Sequence, residues 1–286
     1  MAGLTNLPIT DIIKKRKSWR TYTNKPVETE KKEQILQFIA NLNQPPFGSA
    51  ARFELVDLDL KFTGKVAGTY GVIKGAETFM AAVVNKGPGD MEDVGYLFER
   101  IILFATAIGL DTCWMGASFS RELFAEKITL KPDEKQPVVS PIGYRAGRRS
   151  LTDMVFHMSA GSKNRKPWPE LFFHRAFNEP LDKNSAGKLE MPLEMVRLAP
   201  SAVNKQPWRL VADDAAVHFF LKRTAGFKSM FTMDLQRIDM GIAMCHFELA
   251  ADIACKRGRW KMENPDIPSV PDDVEYIASW KYLTDM

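Results

Sequence analysis

A chain that repeats its own pattern can build one small fold twice, and that possibility constrains this sequence more than its composition does. Residues 170–286 slide over the first half so that Arg175 falls on Arg20 and Trp208 on Phe53 at one common offset, with Leu210 and Val211 on Leu55 and Val56. At a second common offset Asp239 falls on Asp93, Gly241 on Gly95, Ala251 on Ala105 and Trp260 on Trp114. Any two amphipathic helices can be phased to agree. Paired Asp-x-Gly starts and tryptophans at one spacing are a stricter match, so we read a duplication with a loop shortened between the aligned parts.

The periodicity fills in the elements. Ile9, Ile12, Ile13 and Arg16 recur at helical spacing, which predicts a short helix ending near Ser18. Thr29 is placed to cap a second helix from Glu30 to about Leu42, closed by Pro45 and Pro46. Phe53 to Leu58 and Thr78 to Val84 read as strands, the second fully buried. Asp90 to Gly109 is the strongest helical pattern, with Val94, Leu97, Phe98, Ile101, Ile102 and Ala105 on a wide apolar face. Residues 157–170, rich in Ser, Gly, Lys and Pro, read as a link. This gives a first repeat over 1–156 and a second over 171–286.

The repeats differ where chemistry would sit. Arg16 and Ser18 correspond to Leu171 and Phe173, so a basic arm occurs once. The turn APSAVNKQPW, with Pro200, Ser201, Asn204 and Gln206, corresponds to a first-half stretch without Asn or Gln, so a polar amide turn also occurs once. Complementary loss implies a composite site shared by the repeats.

Charge narrows the partners. A net charge of +4 over 286 residues is too small for a nucleic-acid binder, but Lys14, Lys15, Arg16, Lys17 and Arg20 form one cluster, and Arg145, Arg148 and Arg149 another. Two compact clusters suit a small anion such as a phosphate, or are two solvated faces. The longest apolar run, Ile101 to Leu110, is about half of the ~20 residues a membrane-crossing helix needs, and we expect a cytoplasmic protein that meets no membrane. Cys113, Cys245 and Cys255 lack CxxC spacing and are expected as buried thiols. The four scattered histidines show no ligand spacing, so no metal is expected.

RKSWR, AIGLDTCWMG, PIGYRAGRR and APSAVNKQPW, in that relation, resemble the flavin-dependent nitroreductase family, in an internally duplicated branch where one chain does the work of a homodimer. The resemblance implies an α+β fold in which each half is a mainly antiparallel sheet flanked by helices. It also implies a single FMN between the repeats. Arg16, Ser18 and Arg20 would hold the flavin phosphate and ribityl chain or ring edge. Pro200, Ser201 and Asn204, with Gln206 in the same motif, would form the partner turn. Arg148 or Arg149 would help neutralise the phosphate, and the backbone of Met115, Gly116 and Ala117 would approach the N5 edge. Lys74 is a candidate donor to the ring. A flavin phosphate calls for guanidinium forks, and the flavin itself carries the chemistry, so no side chain is assigned a catalytic role.

The activity so implied is an oxidoreductase passing hydride from NADH or NADPH through FMN to a small electron-poor acceptor such as a nitroaromatic or quinone. The chain would act as a monomer, itself a pseudo-dimer, or as a weak homodimer. The alternative is a non-catalytic FMN-binding protein for storage or sensing.

Overall fold

The computed structural model describes residues 8–58, 69–148, 150 and 164–283, and the chain divides into two compact units, residues 1–161 and 162–286. In the first unit, α1 (Ile9–Lys15) and α2 (Thr29–Ala40) precede β1 (Ala51–Asp57) and β2 (Thr78–Asn85). Then come α3 (Asp90–Ala107), β3 (Asp111–Thr112), α4 (Arg121–Ile128), β4 (Glu134–Lys135) and β5 (Val139–Gly143). The sheet runs β1-β2-β5-β3, with β4 also pairing β2, and all these pairings are antiparallel.

Helix α3 packs against α1, α2 and the sheet. Its start is set by local chemistry. Gly89 takes a left-handed φ of 73°, Asp90 accepts the Gly87 amide at 2.8 Å, and Asp90, Glu92 and Asp93 place negative charge at the positive end of the helix dipole. Every residue from Asp90 to Thr106 is buried. Phe38 stacks on Phe104 with centroids 4.3 Å apart, while Phe124 and Phe79 meet edge to face across the sheet. Helix α1 ends at Lys15 and not near Ser18, because the chain turns extended at Arg16, where ψ is 124°. Thr29 is the first helical residue of α2; Glu28 stands before it and no side chain caps that end.

The second unit opens with α5 (Trp168–Leu171) and β6 (Phe172–His174), followed by α6 (Glu190–Leu198), β7 (Trp208–Ala212) and β8 (Ala216–Lys222). It closes with α7 (Leu235–Ile253), β9 (Gly258–Lys261) and β10 (Val274–Tyr282). Trp168 is buried and meets the Phe172 ring at 4.7 Å, so the tail of the supposed link folds with this unit. The sheet order is β6-β7-β8-β10-β9.

Leaving out β6, that order is the first unit's order strand for strand. The match extends to a buried polar staple. Asp93 of α3 accepts the backbone amides of Phe47 and Ser49 at 2.9 and 2.8 Å; Asp239 of α7 accepts that of Ala202 with both oxygens, at 2.9 and 3.1 Å. Each carboxyl ties the long helix to the turn that feeds the first long strand of its own sheet. Burial pushes both carboxyls above the ordinary range against these backbone bonds, Asp239 the further. Trp114 and Trp260 each donate an indole N–H to a glutamate of their unit's long helix, Glu99 at 2.7 Å and Glu248 at 2.6 Å.

One correspondence read from the sequence is corrected. Phe172–His174 pair in parallel with β7, on the edge opposite β9. Ser18 instead pairs with Thr112 of β3, the strand that β9 matches. The two segments therefore leave their sheets by different edges. Of the cysteines, Cys113 and Cys245 are buried and Cys255 is exposed, because the chain has already left α7 when it reaches Cys255. Among the described residues no helix is long and apolar enough to cross a membrane, and no three His, Cys, Asp or Glu side chains are grouped to hold a metal.

Candidate functional site

The basic arm is an extended strap laid across one end of the first unit. The Trp19 amide donates to Thr112 O at 3.0 Å, and Lys74 then clamps the strap twice, its amide donating to Arg20 O and its carbonyl accepting from the Tyr22 amide, both at 2.8 Å. The exit of β5 closes over the other side: Thr23 N donates to Tyr144 O at 2.8 Å and Ala146 N to Thr21 O at 2.9 Å. The clamp depends on Gly75. Its φ is 78°, and a Cβ there would lie 2.3 Å from Tyr22 O, so no other residue fits that close approach without moving the strap. The structure thus brings Arg16, Ser18, Arg20, Lys74 and the loop carrying Arg148 together, although they are far apart in sequence.

Electrostatics single out Arg16. Its side chain is 7% exposed and faces Glu99, which is 0% exposed, with Nε 3.7 Å from Oε1. That separation is an ion pair without a hydrogen bond, and Nε and Nη1 are both buried without an acceptor. A buried guanidinium with unfilled donors is costly unless something anionic completes it. Beside it lies a cavity of about 300 Å³ lined by Lys15, Arg16, Lys17, Asp111, Tyr144 and Arg145. Four cations against one carboxylate leave a net positive wall. Burial lifts the Asp111 carboxyl above its usual range, against hydrogen bonding from the Arg145 amide at 3.2 Å. Arg145 is also held over the Trp19 ring at 5.2 Å. These residues fit a phosphate monoester such as that of FMN. Arg148 is exposed on the same loop, and Arg149 lies outside the described residues.

The expected backbone edge has a rigid base. Met115 and Val139 exchange both backbone hydrogen bonds at 3.0 Å, and Gly116 and Ala117 follow as a half-buried and an exposed residue. Two residues absent from the sequence reading shape this loop. Arg121 donates from Nη2 to Gly116 O at 2.8 Å and from Nη1 to Gln136 O, and its guanidinium covers the Phe119 ring at 4.7 Å. Gln136 is buried with neither side-chain polar atom bonded. Ser120, which accepts the Leu123 amide as the cap of α4, was the available sequence signal for a helix placing Arg121.

The amide turn of the second unit is strained: Val203, Asn204 and Gln206 all have positive φ, 49°, 53° and 49°. Its side chains account for the strain being tolerated. Ser201 Oγ accepts the Gln206 amide at 2.9 Å, and Asn204 accepts from Arg165 at 2.7 Å and donates to Asn164 O at 2.8 Å. Gln206 accepts the Lys166 amide at 2.8 Å. The turn grips residues 164–166 of its own unit, which accounts for two side-chain amides in so short a segment. Pro200 leads into it half-buried from the end of α6.

The family described as "Putative TM nitroreductase" matches residues 8–251, most of both units. The chain belongs to this nitroreductase family. Among solved structures, a "putative nitroreductase" of Thermotoga maritima is 20% identical at a TM-score of 0.61, covering 96% of this chain and 93% of that one. At that identity the likeness is one of fold. A nitroreductase family protein of Clostridium difficile is 20% identical (TM-score 0.42, 56% of this chain, 94% of that one). A "putative nitroreductase in complex with FMN" of Exiguobacterium sibiricum is 17% identical (TM-score 0.40, 51% and 93%). No curated protein matches the chain. The nitroreductase fold, α+β with antiparallel sheets and helices, is thus present in the form the sequence led us to expect.

Proposed function

We propose that this nitroreductase-family chain is an FMN-dependent oxidoreductase that takes hydride from NADH or NADPH and delivers it to an electron-poor small molecule such as a nitroaromatic or quinone. The observation that carries this reading is Arg16: a buried guanidinium with two unfilled donors at the wall of a positive cavity. Because the basic arm belongs to the first unit alone, we expect one FMN per chain.

FMN, when bound, supplies the hydride acceptance and donation that no side chain can perform. Lys15, Arg16, Lys17 and Arg145 neutralise its phosphate. Arg20 and Lys74, joined by their backbone hydrogen bond, are the donors available to the ring edge, where a cation favours the reduced anion. Arg121 fixes the Gly116 carbonyl and so the direction of the neighbouring peptide. The strap, closed by Lys74 and by residues 144–146, keeps these groups in one geometry before binding, which lowers the ordering cost of association.

The test is the visible spectrum after adding FMN and removing the excess, followed by anaerobic NADH and then NADPH. One equivalent of flavin that bleaches supports the proposal. Bound flavin that resists bleaching by either nucleotide supports storage or sensing instead, and absence of bound flavin refutes the phosphate assignment.

A further inference from the structure

The second unit holds a chain of four polar side chains that flavin chemistry does not use, two of them buried (His218 and Ser279) and two half-buried (Asp213 and Tyr276). His218 of β8 is 2% exposed; its Nε2 lies 2.9 Å from Asp213 Oδ2 and its Nδ1 lies 2.7 Å from Ser279 Oγ. Ser279 Oγ lies 2.7 Å from Tyr276 Oη, which in turn reaches the carbonyls of Glu263 at 2.8 Å and Lys261 at 3.2 Å. The order Asp-His-Ser is that of a hydrolase triad. Here Ser279 is fully buried on β10, between β8 and β9, so no substrate reaches it.

The meeting of Tyr276 with Ser279 is itself a built feature. Residues three apart on a regular strand face opposite sides, but the β10–β8 register shifts between Tyr276 and Ala278 and turns both side chains to one face. The groups around His218 are few. Asp213 sits in the β7–β8 turn and Tyr276 and Tyr282 on β10; Lys261 of β9 pairs opposite Ser279, and β7 offers Val211 opposite His218 with Arg209 two residues along. Asp213 is also held by the amides of Ala215 and Ala216, both at 2.8 Å; burial resists its ionisation, but these bonds and His218 outweigh it, so it is an acceptor at neutral pH. Burial holds the Tyr276 phenol above its usual range, so it keeps its proton as a donor.

Counting protons gives two complete arrangements. Asp213 accepts from Nε2–H in both. With His218 charged, Nδ1–H donates to Ser279, Ser279 donates to Tyr276, and the Tyr276 proton goes to the Glu263 carbonyl. With His218 neutral, Nδ1 accepts from Ser279, Ser279 accepts from Tyr276, and the carbonyls of Lys261 and Glu263 lose that donor. Each state satisfies the buried His218 and Ser279, and they differ at the carbonyls of Lys261, the last residue of β9, and of Glu263 just beyond it. We propose that Asp213, His218, Ser279 and Tyr276 form a proton-ordered latch that ties the segment just after β9, at Glu263, to the sheet when His218 is charged and releases it when it is neutral.

The test is ¹⁵N NMR of the histidine ring together with amide hydrogen exchange, corrected for intrinsic rates, from pH 5 to 9 in the full chain and in Tyr276→Phe. The expected result is that protection of residues 261–264 falls several-fold as His218 loses its proton. In Tyr276→Phe, His218 still titrates, but those amides exchange fast throughout. A His218 that keeps one protonation state over the whole range overturns the proposal. So does the same pH-dependent protection in Tyr276→Phe.

Discussion

Replacing Arg16 by Met tests whether the buried guanidinium serves a ligand or the fold. Two effects oppose one another in the unliganded protein. Removing Nε and Nη1 relieves two buried donors without acceptors, but it strips the fully buried Glu99 of the cation 3.7 Å away. Removing the cation that faces a buried carboxylate costs about 3 kcal/mol, more than the relief returns, so the single variant loses stability. Arg16→Met combined with Glu99→Gln removes both charges and keeps an acceptor for the Trp114 indole, which Glu99 now binds at 2.7 Å. The double variant recovers most of the loss. FMN affinity behaves differently, because a charge-assisted pair of hydrogen bonds to phosphate is worth about 1.5–3 kcal/mol, or roughly 10- to 100-fold, in both variants alike. Urea unfolding of the apoprotein gives the first quantity and flavin fluorescence titration the second. If the double variant holds FMN within about threefold of the wild type, Arg16 is a structural cation and the phosphate assignment is wrong.

Gly75→Ala should loosen the strap, since a left-handed φ and a Cβ 2.3 Å from Tyr22 O together cost about 1–3 kcal/mol, and both the unfolding midpoint and FMN affinity should fall. Asp239→Ala should cost about 1–3 kcal/mol by orphaning the Ala202 amide. Asp239→Asn should gain on the wild type as pH rises: the native carboxyl titrates above its unfolded value of 3.8, so its contribution is full below that pH and is lost on the way up to the raised native value. Denaturant titrations from pH 4 to 8 check this, and a constant gap between Asp239→Asn and wild type would count against the buried staple. Glu134 has the opposite sign. Hydrogen bonding from Arg52 holds its carboxyl at about 2, so its contribution is present above the ordinary 4.5 and is lost as pH falls toward 2; Glu134→Gln should flatten acid unfolding in that window.

Much of the fold was legible because it rests on local pattern. The uninterrupted apolar run of β2, the acidic start and wide apolar face of α3, and the Asp-x-Gly pairing of α3 with α7 each state a structural fact in adjacent residues. What was not legible depends on pairings between distant segments. Nothing in RKSWR says that it will lie against Thr112, or that Lys74 will hold it by backbone bonds. The amide turn shows the same limit from the other side. Asn204 and Gln206 look poised for a ligand because their partners, residues 164–166, lie in a stretch whose composition announces a link. Helix α4 was missed although Ser120 signals its start, because Ser118 to Arg121 reads equally well as polar loop.

The comparison of the two units explains why one of them would carry the cofactor. They share a sheet order and a buried aspartate staple, so the scaffold asks the same of both. They differ in how completely their buried polar groups are satisfied. In the second unit Asn204, Gln206 and His218 are bonded within the unit, and among its described residues the shielded side-chain atoms without partners, Trp208 Nε1 and Tyr282 Oη, are single uncharged groups. The first unit instead keeps a cation with unfilled donors at Arg16 and an unbonded amide at Gln136. Such groups lower stability, and a scaffold that can bond its buried amides and histidine internally, as the second unit does, retains unfilled ones where a ligand completes them. That asymmetry, more than the count of basic residues, supports placing the phosphate-binding role proposed above in the first unit.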